Sequence, residues 1–250
     1  MKKIIRYAAL GFGILGIVLF GLLNHKGETA FAASGNVISS FRLNPESEEL
    51  ARISQGLAFD GTYLVYGDSY DWTTGFQPKI YKLTTGGSVA SSFNAPAPDP
   101  PYHKGLAWDG SYVWVAIAGE KRIFKADGGN TYITTENDYP YGLTLYGGYF
   151  YEVDAKSSDV YKIDPKSGET VSSFSGPTPT DSKCFGLAND GAYLYISTYG
   201  RNDKIYKYTF GGSEVSSFDA PCDHPVGLAY DGTYLWCVDD ELEYFYQFEK

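Results

Sequence analysis

The sequence is poor in the residue types that build most metal and nucleophile sites. It has three cysteines and three histidines in 250 residues, and the cysteines follow no zinc-binding spacing. It contains no G-x-S-x-G, no Walker-type phosphate loop and no H-E-x-x-H. No motif therefore supports a serine hydrolase, a P-loop nucleotide-binding protein or a zinc protease of those classes, and the sequence predicts no cofactor.

Positive charge is also scarce. The chain carries 20 Lys and Arg against 30 Asp and Glu, a formal net charge of −10 at pH 7. An acidic surface repels phosphate backbones and anionic lipids, so the composition predicts that nucleic acid is not a partner.

There is one long hydrophobic run, at the N-terminus. Cationic residues within positions 2–6 precede an apolar stretch over 8–23, and Ala30-Phe31-Ala32 offers a small-residue cleavage site. This layout is typical of a secretory signal peptide over residues 1–32, which predicts a secreted, periplasmic or cell-surface protein. The run is shorter than the roughly 20 residues that span a bilayer. An uncleaved membrane anchor is the alternative, and a membrane is a partner only in that case.

Aromatic residues and internal repeats are plentiful, with 23 Tyr, 15 Phe and 4 Trp. A motif of the form GLAxDGxYLW occurs five times, as GLAFDGTYLV at 56, GLAWDGSYVW at 105, GLTLYGGYFY at 142, GLANDGAYLY at 186 and GLAYDGTYLW at 227. The first glycines of successive copies are 37 to 49 residues apart. Periods near 40 to 45 residues with short strands are typical of four-stranded propeller blades.

The last repeat is one strand short, and the start of the mature chain carries the missing piece. The segment GNVISSF at 35–41 resembles the fourth-strand elements GGSVASSF, GETVSSF and GGSEVSSF. The sequence therefore predicts an all-β domain over residues 33–250, a five-bladed β-propeller of four-stranded antiparallel blades. We expect the strand at about 35–41 to complete the last blade within one chain, giving a monomer. The alternative is pairing with another copy, which would make a structural subunit that assembles by strand exchange.

Two local patterns add detail to this fold. The Asp-Gly dipeptide of each repeat favours a tight hairpin turn. Between the first strand and the first repeat, an Asn, a Pro and an acidic run resemble a helix start, which predicts a short helix over about 45–52.

In a propeller, the loops that enter the innermost strands and those that join strands two and three surround one mouth of the central channel. Twelve residues after each repeat glycine stand Asp68, Ile117, Asp154, Thr198 and Asp239. Three carboxylates at one level could hold a structural cation such as calcium, or bind an amine. The alternative is that each aspartate only caps the backbone amides of its own loop.

Aromatic and histidine side chains mark the same loops. The candidate ligand-binding residues are Tyr70 and Trp72 in the longest loop, Tyr102 and His103, Tyr141, Phe185 and His224. Exposed aromatic rings are platforms for sugars or peptide side chains, although rings of this kind also serve ordinary packing between blades. These residues favour a noncatalytic module that binds a peptide, protein or glycan.

The three cysteines leave one thiol over if any disulfide forms. Cys184 and Cys222 lie in the loops that enter the last two blades, so a disulfide between them is one expectation. Cys237 falls within a strand and is expected to be a buried free thiol.

Through GLAxDGxYLW, KIYKL and VSSF the chain resembles secreted propeller repeat proteins of the NHL, YVTN and glutamine cyclotransferase-like type. The segment YGLTLYGGYFYEVDAKSSDVYKIDPKSGE at 141–169 is similar to the signature of plant and bacterial glutaminyl-peptide cyclotransferases. That resemblance implies Glu152 as a catalytic acid/base for cyclising an N-terminal glutamine. The chain departs from the signature after Glu152, where Val153-Asp154-Ala155 replaces STG, and its best match to TQGL is at 54–57.

Overall fold

A computed structural model describes residues 35–43, 54–68, 78–96, 102–126 and 131–250, and these residues form twenty β-strands. The described residues include no helix, and so none that could cross a bilayer. The expected signal peptide at 1–32 and the expected helix at 45–52 lie outside the described residues.

The strands form five sheets of four, each with antiparallel neighbours, which confirms the five-bladed propeller. Blade 1 consists of β2 (Ser54–Phe59), β3 (Leu64–Asp68), β4 (Lys79–Leu83) and β5 (Val89–Asn94). Blade 2 consists of β6 (His103–Trp108), β7 (Val113–Ile117), β8 (Arg122–Lys125) and β9 (Tyr132–Thr134). Blade 3 consists of β10 (Pro140–Tyr146), β11 (Tyr149–Asp154), β12 (Asp159–Ile163) and β13 (Thr170–Ser175). Blade 4 consists of β14 (Ser182–Asn189), β15 (Leu194–Gly200), β16 (Lys204–Tyr208) and β17 (Glu214–Asp219).

Blade 5 combines the first described strand with the last three, as the sequence predicted. Its strands are β18 (Pro225–Tyr230), β19 (Leu235–Asp239), β20 (Tyr244–Phe248) and β1 (Val37–Arg42), and β1 pairs antiparallel with β20 of the same chain. Gly35 has a φ of +93°, close to the values at Gly87, Gly168 and Gly212, which stand in the turns before the fourth strands of other blades. The first strand therefore keeps the turn glycine of the repeat, although no third strand of its blade precedes it in the sequence.

The aspartate of the repeat fixes the turn between the first two strands of four blades. In blade 5, Asp231 Oδ1 accepts hydrogen bonds from the backbone amides of Thr233 and Tyr234, and Asp231 Oδ2 accepts one from Trp236 Nε1 at 2.7 Å. The loop residues are the glycine and the residue after it, and Gly232 has a φ of +97°. Asp60, Asp109 and Asp190 cap the same two amides in blades 1, 2 and 4. The expected turn role is confirmed, with the aspartate closing the turn and glycine taking its first central position.

The core is divided among the five blade–blade interfaces, because side chains on both faces of each middle strand are covered by neighbouring blades. In blade 3, for example, Phe150 packs towards blade 2 while Tyr151 packs towards blade 4. Two-sided burial explains why the second strand of each repeat carries large apolar residues without alternation.

The structure places Cys184 and Cys222, the pair expected to form a disulfide, in different blade–blade interfaces. Cys184 lies in the interface of blades 3 and 4, where its Sγ donates to the carbonyl of Pro177 at 3.3 Å. Cys222 lies in the next interface, between blades 4 and 5. The segments that enter blades 4 and 5 thus place their cysteines in different interfaces. Cys237 is buried, as expected.

The repeat glycines allow the innermost strands to lie close together around the channel. A Cβ added to Gly56 would overlap the carbonyl oxygen of Lys104, and one added to Gly142 would overlap that of Phe185. The repeat glycine is thus required by the close approach of neighbouring inner strands. The leucine after each glycine and the glycines themselves constrict the channel so that no water-sized space remains there.

Closure of blade 5 should depend on Phe41, whose ring stacks on Phe245 at 4.9 Å and lies 6.0 Å from Trp236. We call the pairing of β1 with β20 the seam. Phe41→Ala should lower the free energy of unfolding by about 2 to 3 kcal/mol, because it removes half-buried contacts at the seam. Denaturant titration followed by circular dichroism measures this. Val37→Ala on the same strand is the control, since Val37 is 49% exposed and should cost under about 0.5 kcal/mol. Equal stability of both variants would contradict the importance of the seam.

Candidate functional site

The three aspartates predicted at one level of the channel mouth each organise their own loop. Asp154 Oδ1 accepts from the amides of Lys156 and Ser157 at 2.7 and 2.9 Å. Asp239 Oδ1 does the same with the two amides that follow its strand, and Asp68 Oδ1 accepts from an amide of β4. Among the described residues, the three carboxylates are not brought into one ligand set. All three carboxylates therefore accept hydrogen bonds from backbone amides.

Four rings form a continuous band around the same mouth, which we call the aromatic arc: Tyr141, Phe185, Tyr199 and His224. Each neighbouring pair packs edge to face, with centroids 4.7 Å apart for Tyr141 and Phe185, 5.2 Å for Phe185 and Tyr199, and 4.6 Å for Tyr199 and His224. All four side chains are half-buried. The arc crosses blades 3, 4 and 5 and leaves part of each ring open to a ligand.

The arc ends in opposite charges. At the blade 2 end, Lys104 Nζ lies 4.5 Å from the centroid of Tyr141, and desolvation lowers the pKa of Lys104 to about 8, against the opposing effect of Asp240. At the blade 5 end, His224 Nδ1 lies 3.3 Å from Asp240 Oδ1 and 3.2 Å from Glu241 Oε2. Desolvation raises the pKa of Asp240, although His224 and Lys104 oppose that rise. A ligand on the arc would meet a cationic group at one end and acidic groups at the other.

One group of donors near the acidic end has the composition of a metal site. One ligand atom from each of His224, Asp239 and Asp240 lies within 4.8 Å of the others. An imidazole and two carboxylates could hold a divalent cation, with one oxygen of Asp239 already engaged by backbone amides.

The remaining predicted ligand-binding residues separate into three groups. Tyr102 is exposed at the start of blade 2. His103 is buried, its Nε2 lies against the carbonyl of Pro96, and desolvation lowers the pKa of His103 to about 4, so it offers no surface to a ligand. Tyr70 and Trp72 lie outside the described residues.

Sequence reasoning missed two features. Tyr199 completes the arc, but it stands at the end of β15, away from the loop positions before the repeat glycines. The other is a cavity of about 150 Å³ at the opposite, hairpin end of the channel. It is lined by the inner strands from the leucine onward, ending at the variable fourth position of the repeat, which is occupied by Phe59, Trp108, Leu145, Asn189 and Tyr230. Four of these five side chains are large and apolar or aromatic, and this shared character was the sequence signal that could have indicated the cavity.

Glu152 occupies an unusual place for a carboxylic acid. It is 0% exposed in β11, at the level where other blades have Tyr66, Val115, Ile196 and Cys237. Its Oε1 accepts from Asn137 Nδ2 at 2.6 Å, and no described residue gives its Oε2 a hydrogen-bond partner. Desolvation raises the pKa of Glu152 to about 8, with the Asn137 hydrogen bond opposing it. The carboxyl of Glu152 is thus fully enclosed within the propeller.

Comparisons with known proteins connect the chain to others through its fold. No protein-family model matches the sequence, and no curated protein does either. The structure is similar to the glutaminyl cyclase of Myxococcus xanthus, with a TM-score of 0.66 and 12% identity over 86% of this chain and 95% of that one.

Two further structures are similar at lower scores. Virginiamycin B lyase from Staphylococcus aureus gives a TM-score of 0.51 and 16% identity over 79% of this chain and 66% of that one. A chain of a nidogen/laminin complex gives 0.53 and 16% identity over 74% of this chain and 72% of that one. At these identities the likeness concerns the propeller fold, which serves unrelated functions.

The buried carboxyl of Glu152 should make stability depend on pH. Its pKa is about 8 when folded, against 4.5 for an ordinary glutamate, so the folded state holds a proton that the unfolded state loses between these values. The natural protein should therefore lose stability as pH rises from about 4.5 to 8, whereas Glu152→Gln should not. The difference in their free energies of unfolding should grow to about 2 to 5 kcal/mol in favour of the variant and then level off. Denaturant titrations across this pH range measure the difference.

The matched control is Glu169→Gln, which changes an exposed glutamate in the turn before β13. Its stability should follow the natural protein at every pH. A constant difference between Glu152→Gln and the natural protein from pH 4.5 to 8 would contradict the enclosed, protonated carboxyl.

Proposed function

We propose that this protein is an exported, noncatalytic binding module whose propeller holds a ligand against the aromatic arc at the loop-side mouth of its channel. The ligand class that fits is a peptide or glycan segment with a flat apolar face. The observation that carries the proposal is the continuity of the arc, since four half-buried rings from three blades meet edge to face.

The physical basis is that rings already held in place lose little conformational entropy when a ligand binds to them. Each ring is held by its neighbours, and Tyr141 and Phe185 precede glycines whose backbones are fixed by close packing of the inner strands. A ligand can therefore bury apolar area on a surface that needs little ordering. The charged ends of the arc, Lys104 and Asp240, would then select ligands with complementary polar groups.

Export is supported by the layout of residues 1–32, with cationic residues, an apolar run and a small-residue cleavage site. A monomer is supported by the intrachain pairing of β1 with β20, because that pairing satisfies the edge that an exchanged strand would otherwise occupy.

A cyclotransferase that uses Glu152 is the second candidate. Its support is the raised pKa of this carboxyl together with the unpartnered Oε2, a combination that suits proton transfer. Enclosure of the carboxyl between blades favours the binding module. Incubation with a glutamine-initiated peptide, followed by mass measurement, should show no loss of ammonia. Loss of ammonia that Glu152→Gln abolishes would establish the enzyme instead.

Binding should depend on the middle of the arc. We expect glycan and peptide arrays to give hits whose affinity falls about 10- to 100-fold in Phe185→Ala and Tyr199→Ala, because each change removes one wall of the platform. Titration calorimetry on the strongest hit measures the loss. Thermal unfolding checks that each variant is folded.

The control is Tyr112→Ala, which removes an exposed ring on the hairpin side of blade 2. It should bind as the natural protein does. Hits that bind the folded Phe185 and Tyr199 variants with unchanged affinity would place the site elsewhere.

A further inference from the structure

Two of the three cysteines face each other inside one blade–blade interface. Cys222, in the loop before β18, places its Sγ 3.2 Å from the Sγ of Cys237 in β19. Both belong to the apolar cluster between blades 4 and 5. The third thiol, Cys184, lies in a different interface and contacts the carbonyl of Pro177.

We propose that Cys222 and Cys237 form a structural disulfide when the protein folds in an oxidising compartment. The two sulfurs need to approach by only about 1 Å to reach the bond length of about 2.05 Å. Cys237 is held in the middle of a strand, whereas Cys222 stands in a loop that can supply the movement. Both thiols lie among apolar side chains, which include Leu228 and Phe248.

The bond would form by thiol–disulfide exchange with a small or protein disulfide as the oxidant. The Cys222 thiolate attacks the oxidant and releases one of its thiols, leaving a mixed disulfide on Cys222. The Cys237 thiolate then attacks Cys222 Sγ and releases the second thiol. Two electrons and two protons pass to the oxidant. Since Cys237 is 0% exposed in the folded protein, this second step should precede the packing of blade 5 against blade 4.

The disulfide would tie together the two segments that carry the acidic end of the aromatic arc. Cys222 stands two residues before His224, and Cys237 stands two residues before Asp239. The His224 to Asp240 contact at 3.3 Å bridges the same two segments. The formation of the bond stands apart from the proposed binding function, because thiol counts report on it without any ligand.

The test compares protein refolded in a glutathione redox buffer with protein refolded in reductant. Free thiols are alkylated in denaturant, and the mass is measured before and after digestion. The oxidised sample should carry one alkylated cysteine, Cys184, and yield a linked peptide pair that contains Cys222 and Cys237. The reduced sample should carry three alkylated cysteines. Three free thiols in both samples, or a linkage that includes Cys184, would overturn the proposal.

Stability gives a second measurement. Closing a loop of this length should raise the melting temperature of the oxidised protein by about 5 to 10 °C over the reduced protein. Cys184→Ala should keep this dependence on reductant, whereas Cys222→Ser and Cys237→Ser should lose it. A reductant effect of equal size in the Cys222 and Cys237 variants would show that the linkage lies elsewhere.

Discussion

The close approach of neighbouring inner strands at the repeat glycines is the constraint on which the rest of the molecule depends. Without a Cβ at Gly56 or Gly142, each inner strand can lie directly against the backbone of the next one. This contact keeps the ring narrow enough for five blades, and the following leucines close the channel at its waist. The aromatic arc and the cavity at the hairpin end lie on opposite sides of this waist.

Most of the fold could be predicted from the sequence, because each blade repeats residues that determine a particular turn or strand. The aspartate, the glycine and the SSF element each have one structural use, so a missing fourth strand in the last repeat identified GNVISSF as its completion. The candidate site was harder. Tyr141, Phe185 and His224 were found from their position before the repeat glycines, but Tyr199 comes from a strand end and meets them only in three dimensions. The interfaces of Cys184 and Cys222 were equally hard to read from the sequence, since the chain segments that enter blades 4 and 5 pack in different interfaces.

Two blades carry a carboxyl or a thiol at the same buried level of the second strand. Blade 3 has Glu152 there and blade 5 has Cys237, whereas blades 2 and 4 have aliphatic residues. Each exception has a partner from the loop that precedes its blade, namely Asn137 and Cys222. A buried polar group that meets a specific partner costs less than an isolated one and restricts how the two segments can pack. Both loops lead into blades that contribute to the arc.

The seam in blade 5 also fixes where the two ends of the propeller emerge. Gly35 N donates to the carbonyl of Glu249, and Lys250 contacts Asp190 and Tyr230 beside the tight turns. Both ends thus leave from the hairpin side, while the aromatic arc lies on the opposite face. A linker joined next to Gly35 or Lys250 would therefore attach on the face opposite the aromatic arc.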